Sequence, residues 1–146
     1  MKLVLYTIGH SNHSLLHFIN LLKRNAITAV ADVRSVPYSQ FTPHFNREML
    51  SENLKQEDIE YVFLGDNLGA RIDAPECYED GKVVFRLVEK HPKFIEGIMR
   101  LKKGMASYRI ALMCAEKDPI ICHRTILVCK HLKSEGVIIK HILSDG

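Results

Sequence analysis

The 146-residue sequence contains no tryptophan, only 8% aromatic residues, and just five prolines and eight glycines. No Pro/Gly/Ser-rich tract, low-complexity stretch or internal repeat divides it, so one domain spanning 1–146 is expected. Charge of one sign is also missing. Twenty basic against seventeen acidic residues leave +3 with histidines neutral, too mild for indiscriminate coating of DNA, although a local basic patch stays open. No apolar run approaches the ~20 residues of a membrane span. The short apolar run from Met1 to Tyr6 breaks at Gly9-His10 and does not read as a signal peptide. Cys77, Cys114, Cys122 and Cys129 show no C-x-x-C spacing, so reduced thiols and a cytoplasmic location are expected. No phosphate-loop, G-x-G-x-x-G or G-x-S-x-G signature occurs, which removes the usual nucleotide, dinucleotide and serine-hydrolase readings. Standard zinc-ligand spacing is absent too. Adjacent Cys122-His123 cannot readily turn both side chains to one metal on a helix, so neither metal nor cofactor is expected.

What is present is 47% hydrophobic and 25% charged sequence, ordinary globular composition with enough apolar material for one core. Five short Val/Ile/Leu-rich runs read as buried strands: Leu3–Ile8, Ile27–Val33, Ile59–Leu64, Arg109–Met113 and Val137–Ile142. Helical patterns fill most of the intervals. Leu15, Phe18, Ile19 and Leu22 mark a first helix capped near Asn12 or Ser14. Asn46 reads as the cap of a second helix carrying Met49, Leu50 and Leu54. Val84, Leu87 and Val88 suggest a short third helix. His91-Pro92 opens another, bearing Ile95, Ile98 and Leu101 with Gly104 as its stop. Asp118-Pro119 starts the last, which runs through Ile126 and Leu132 to Gly136. The alternation predicts a three-layer, Rossmann-like α/β fold: a mostly parallel five-stranded sheet with helices on both faces. Two connections break the rhythm, 35–45 with its aromatics and prolines, and 65–81.

Each polar motif directly follows the carboxyl end of an expected strand. Gly9 to His13, Asp32 to Ser35, Gly65 to Arg71 and Cys114 to Asp118 therefore gather on one sheet edge, where open parallel sheets bind ligands. Asp32 and Arg34 share one face of their strand. Buried there, they must pair with each other, with Glu116 and Arg124, or with an acidic substrate. His10 reads as a general base, a substrate contact or a plain loop histidine. Cys122, beside His123 and Arg124 at a helix start, suits a low-pKa thiolate or a small buried hydrophobe. Lys117 and Arg124 at that helix start suit an anion. Cys114 and Cys129 read as core. Tyr38, Phe41, His44 and Phe45 read as a lid over the edge or as a base-stacking surface.

The segments TIGHSN (7–12), DVRSVPYS (32–39), PHFN (43–46) and CAEKDPIICHR (114–124) together resemble domain-of-unknown-function family 488, from Tyr6 to the final strand. The resemblance implies a compact α/β domain with a pocket built from these loops, and no assigned chemistry. It carries over Gly9, His10, Ser11, Asn12, Asp32, Arg34, Pro37, Phe45, Cys114, Glu116, Pro119, Cys122, His123 and Arg124. Where the family tends to show Leu-Gly-Gly-Arg, this chain has Leu68-Gly69-Ala70-Arg71.

The combined expectation is an enzyme, hydrolase or transferase, acting on a small anionic substrate of phosphate-bearing type, with a nucleotide or a nucleic acid among the options. His10, Glu116, Cys122 and His123 are its candidate catalytic residues; Asn12, Asp32, Arg34, His44, Lys117 and Arg124 are its candidate substrate contacts. The alternatives are a nucleic-acid-binding module without chemistry, and rhodanese- or thiol-phosphatase-like transfer through a cysteine. Against the latter, the Cys-x5-Arg loop is missing, since Cys114 stands ten residues before Arg124 and Cys122 only two. No membrane partner is expected, and the oligomeric state is not indicated.

Overall fold

The computed structural model describes residues 3–10, 13–34, 37–40, 42–68, 78–80, 82–83, 85–114 and 123–143, with the side chains of 78, 82–83, 85–86 and 123–126 excepted. In chain order the elements are β1 (Val4–Gly9), α1 (Leu15–Arg24), β2 (Ala29–Asp32), a 3-10 turn (Pro43–Phe45), α2 (Arg47–Gln56), β3 (Glu60–Phe63) and α3 (Gly65–Leu68). There follow β4 (Tyr78–Glu79), β5 (Lys82–Val83), α4 (Phe85–Lys90), α5 (Pro92–Met105), β6 (Ile110–Cys114), α6 (His123–Ser134) and β7 (Ile138–Ile142). All five expected strands form, and every pairing among them is parallel, in the order β3-β2-β6-β1-β7. The connection expected to be irregular, 65–81, opens with α3 and ends within a small antiparallel hairpin of β4 with β5.

Strand order fixes which helix lies where. The chain moves one way along the sheet from β1 to β2 to β3, then back the other way to β6 and β7. Right-handed crossovers accordingly put α1 and α2 on one face and the later helices on the other. The packing agrees. Phe18, Ile19, Leu21 and Leu22 of α1 and Leu50 and Leu54 of α2 form one cluster with Tyr6, Ile8, Val30, Ala111 and Met113. Phe94, Ile98, Leu101 and Met105 of α5 and Leu127, Val128 and Leu132 of α6 form another with Leu5, Ala29, Ala31, Ile110, Leu112 and Cys114. Alternate strand residues therefore serve opposite layers, as a sheet covered on both sides requires.

Several expectations are corrected. Helix α5 runs past Gly104 to Met105; Gly104 stays helical because its carbonyl accepts from Ser107 and Tyr108 in a closing turn. Ile95 and Met49, expected on inner faces, are exposed at 44% and 51%; Phe94 takes the inward position on α5 instead. Asn46 precedes α2 but caps nothing with its side chain, since its Oδ1 accepts from the Ser39 amide at 2.7 Å. Ser14, by contrast, caps α1 by accepting from the His17 amide. The expected Asp118-Pro119 helix start lies outside the described residues.

Candidate functional site

Adjacent strands whose outgoing connections go to opposite faces leave a crevice at their carboxyl ends. Here β1 and β2 exit toward the α1/α2 face, and β6, which lies between them, exits toward the other. The strand ends there are level: Ile8 is in register with Met113, and Met113 with Asp32. His10 and Arg34 each lie two residues beyond that row. By alternation they project to the same side as Tyr6, Ile8, Val30 and Met113, over the α1/α2 layer. Two interstrand spacings separate their chains, roughly 10 Å.

Four polar side chains are buried among the described residues: Thr7, His10, Asp32 and Arg34. Three of them are at this edge. Thr7 bonds to the His141 ring away from it.

Asp32 is wholly buried, and its carboxylate accepts from four donors. Arg34 Nε reaches Oδ1 at 2.9 Å and Nη2 reaches Oδ2 at 2.8 Å. The Arg34 backbone amide adds a bond to Oδ1 at 3.0 Å, and the Tyr61 hydroxyl donates to Oδ2 at 2.6 Å. Of the options open from sequence, the two ions pair with each other. A fork-shaped contact of this kind fixes the guanidinium plane. It uses two of the five N–H donors, and among the described residues nothing else engages the fork. Burial, the Asp32 charge and the hydrogen bond to it, in that order, hold the Tyr61 phenol well above its ordinary pKa of 10. Tyr61 was not singled out by the sequence. Its signal was a phenol within an apolar strand, which needs a polar partner when covered.

The connection after β2 folds back over this edge. His10 stacks on Phe45 with ring centroids 4.6 Å apart, and Phe45 meets Phe18 edge-on at 5.0 Å. His44 Nε2 donates to the His13 carbonyl at 2.8 Å, so that nitrogen is a strut between lid and β1 loop rather than a free substrate contact. The Arg47 amide donates to the Pro37 carbonyl, and the Tyr38 hydroxyl donates to Glu48 at 2.7 Å. That bond raises the Tyr38 pKa and lowers that of Glu48. Phe45 is fully buried, so its ring offers no exposed surface for stacking a base. Phe41 lies outside the described residues. On the far side of Tyr61, Arg47 sits over the Phe63 ring at 4.4 Å, beside an open depression of about 440 Å³.

The structure thus brings together His10, Asp32 and Arg34, with His44 in the lid. Asn12, Glu116, Lys117 and Cys122 lie outside the described residues, as do the side chains of His123 and Arg124. Cys114 and Cys129 are buried thiols in the α5/α6 layer and helix α6, in line with a core role. Among the described residues no group of His, Cys, Asp and Glu is arranged to hold a metal, and no helix is long and apolar enough to cross a membrane.

Fold and edge define the class: a three-layer parallel α/β domain whose buried ionisable groups collect at the carboxyl ends of its central strands. Within that class, the chain belongs to the family described as domain of unknown function DUF488, whose profile matches residues 14–130. The match takes in the segments at 32–39, 43–46 and 114–124 and begins after TIGHSN. No curated protein and no solved structure matches the chain.

Proposed function

We propose that the protein is an enzyme that binds a small anionic substrate, of phosphate-bearing type, between β1 and β2 at the carboxyl edge of the sheet. The observation that carries this reading is the burial of His10 and of the Asp32–Arg34 pair on one face of that edge. Ionisable groups in such a place are costly to stability unless they are paired, and Asp32 is matched by Arg34 and Tyr61. The fixed guanidinium of Arg34 holds the anion through its remaining donors, while Asp32 and Tyr61 keep it in place. His10, stacked on Phe45, is set to move a proton to or from the bound group. Phe45 and the turn at Pro43–Phe45 shield the space from water, which strengthens both interactions. Lys117 and Arg124 extend the anion site in this reading, and Glu116, Cys122 and His123 complete the chemistry.

A thermal-shift series with inorganic phosphate, sulfate and nucleotides tests it. Wild type should be stabilised in a concentration-dependent way, and Arg34→Lys, which keeps the charge but loses the fork, should lose most of the shift. Equal shifts in both proteins would place the anion elsewhere.

A further inference from the structure

Helix α5 has two apolar faces. The inner one is spent on the sheet. The outer one carries Ile95, 44% exposed, and Met99, 64% exposed, in a stripe with Pro92, Glu96, Arg100 and Lys103 at helical spacing, around a shallow depression of about 590 Å³. Arg100 and Lys103 also border a second opening of about 470 Å³ between α5 and the edge strand β3, where Val62 and Tyr108 are exposed. Among the described residues, apolar side chains on α5 and at the β3 edge are thus exposed on either side of Arg100 and Lys103. Scattered exposed apolar residues are ordinary; a continuous stripe rimmed by charge marks an interaction face.

The charges select the occupant. The acidic residue of the stripe, Glu96, lies toward the amino end, and the basic residues, Arg100 and Lys103, lie toward the carboxyl end. Among the described residues none of the three takes part in an ion pair, whereas neighbouring Lys102 is held by Glu135. A two-fold axis passing between Met99 and Arg100 runs a second α5 antiparallel to the first. Glu96 and Lys103 stand equal steps either side of that axis, so each Glu96 faces Lys103 of the second copy. In that arrangement Met99 would meet the methylene stem of Arg100 of the second copy, the kind of apolar cover a long basic side chain provides. A face that is its own complement under a two-fold is the requirement of an isologous dimer. We propose that this face of α5 is the contact between two copies of the chain.

The test is analytical ultracentrifugation of the full chain with two single charge reversals, Glu96→Lys and Lys103→Glu. Both positions are on the solvent face, and circular dichroism verifies that each variant is folded. Wild type should dimerise. Each reversal creates like charges in both symmetry-related contacts, and should weaken self-association about tenfold or more. An equimolar mixture of the two variants restores opposite charges at both contacts and should recover the wild-type dimer. A wild-type chain that stays monomeric into the submillimolar range overturns the proposal. So do folded reversals that dimerise like wild type, and a mixture that stays monomeric.

Discussion

Asp32 decides more of the edge than any other residue. Its carboxylate is the sole described partner of the Arg34 guanidinium, on a side chain only 7% exposed. Removing one member of a buried pair strands the other charge, at a cost of about 3–5 kcal/mol, whereas removing both often costs little. Asp32→Ala should therefore destabilise the protein by about that amount in chemical denaturation, and Asp32→Ala combined with Arg34→Met should recover much of it. A single-variant loss below about 1 kcal/mol would mean that Arg34 has another anionic partner at the edge. Tyr61 gives a second readout. The fold raises its pKa above the unfolded value of 10, so its stabilising contribution is full below pH 10 and is lost as pH rises beyond it. In a spectroscopic titration of the five tyrosines, Tyr61 should remain a phenol until alkaline unfolding. Wild type and Tyr61→Phe should then release the same number of protons from folded protein; one proton fewer in the variant would show Tyr61 ionising in the native state. Gly65 bounds the same corner, since a Cβ there would stand 2.0 Å from the Arg34 carbonyl oxygen.

At the scale of elements, three helices end alike. After α1, α2 and α6 a residue with positive φ turns the chain, and the next amide reaches back five residues: Ile27 to Leu22, Ile59 to Leu54 and Val137 to Leu132. The turning residues are Ala26 at φ 55, Asp58 at φ 59 and Gly136 at φ 87. Only glycine adopts that conformation without steric cost. This explains what could be read in advance. Gly136 marks its helix end openly; the other two ends look like any polar stretch. Gly104 misleads in the opposite sense, being inside a helix. Ala26 carries the largest avoidable strain of the three, because aspartate tolerates the left-handed region better than alanine. Ala26→Gly should stabilise the protein by about 1 kcal/mol in denaturant melts. No gain would mean that the added freedom of the unfolded chain cancels the relief.

For the whole molecule, the strands and their parallel order of connection were legible because buried strands are short, apolar and separated by helical periods. The gathering of His10, Asp32 and Arg34 at one edge, and of Asp32 and Arg34 on one face, was legible for a related reason: strand ends and alternation along a strand are local properties. Tyr61 as a partner of Asp32 was not, because the β2–β3 register that brings them together is set by packing across the sheet. The outward face of α5 was missed for the same reason. Ile95 and Ile98 are equally apolar, and only the position of the sheet tells which one is inside.

That sheet also couples the two core layers, with a testable consequence for unfolding. Leu22 of α1 and Leu101 of α5 are buried at 0% and 1% exposure in separate clusters on opposite faces. Each cluster uses alternate residues of the same strands, so neither layer can open without stripping one side of a strand the other layer needs. Guanidinium unfolding followed by far-ultraviolet circular dichroism and by tyrosine emission should give one coincident transition. Leu22→Ala and Leu101→Ala should each lower its free energy by about 2–5 kcal/mol. Because the two side chains are separated by the sheet and share no partner, the double variant should equal their sum within ~0.5 kcal/mol. Two resolved transitions, with each variant moving only one of them, would show instead that the helical layers fold as separate units on a sheet that survives the loss of either.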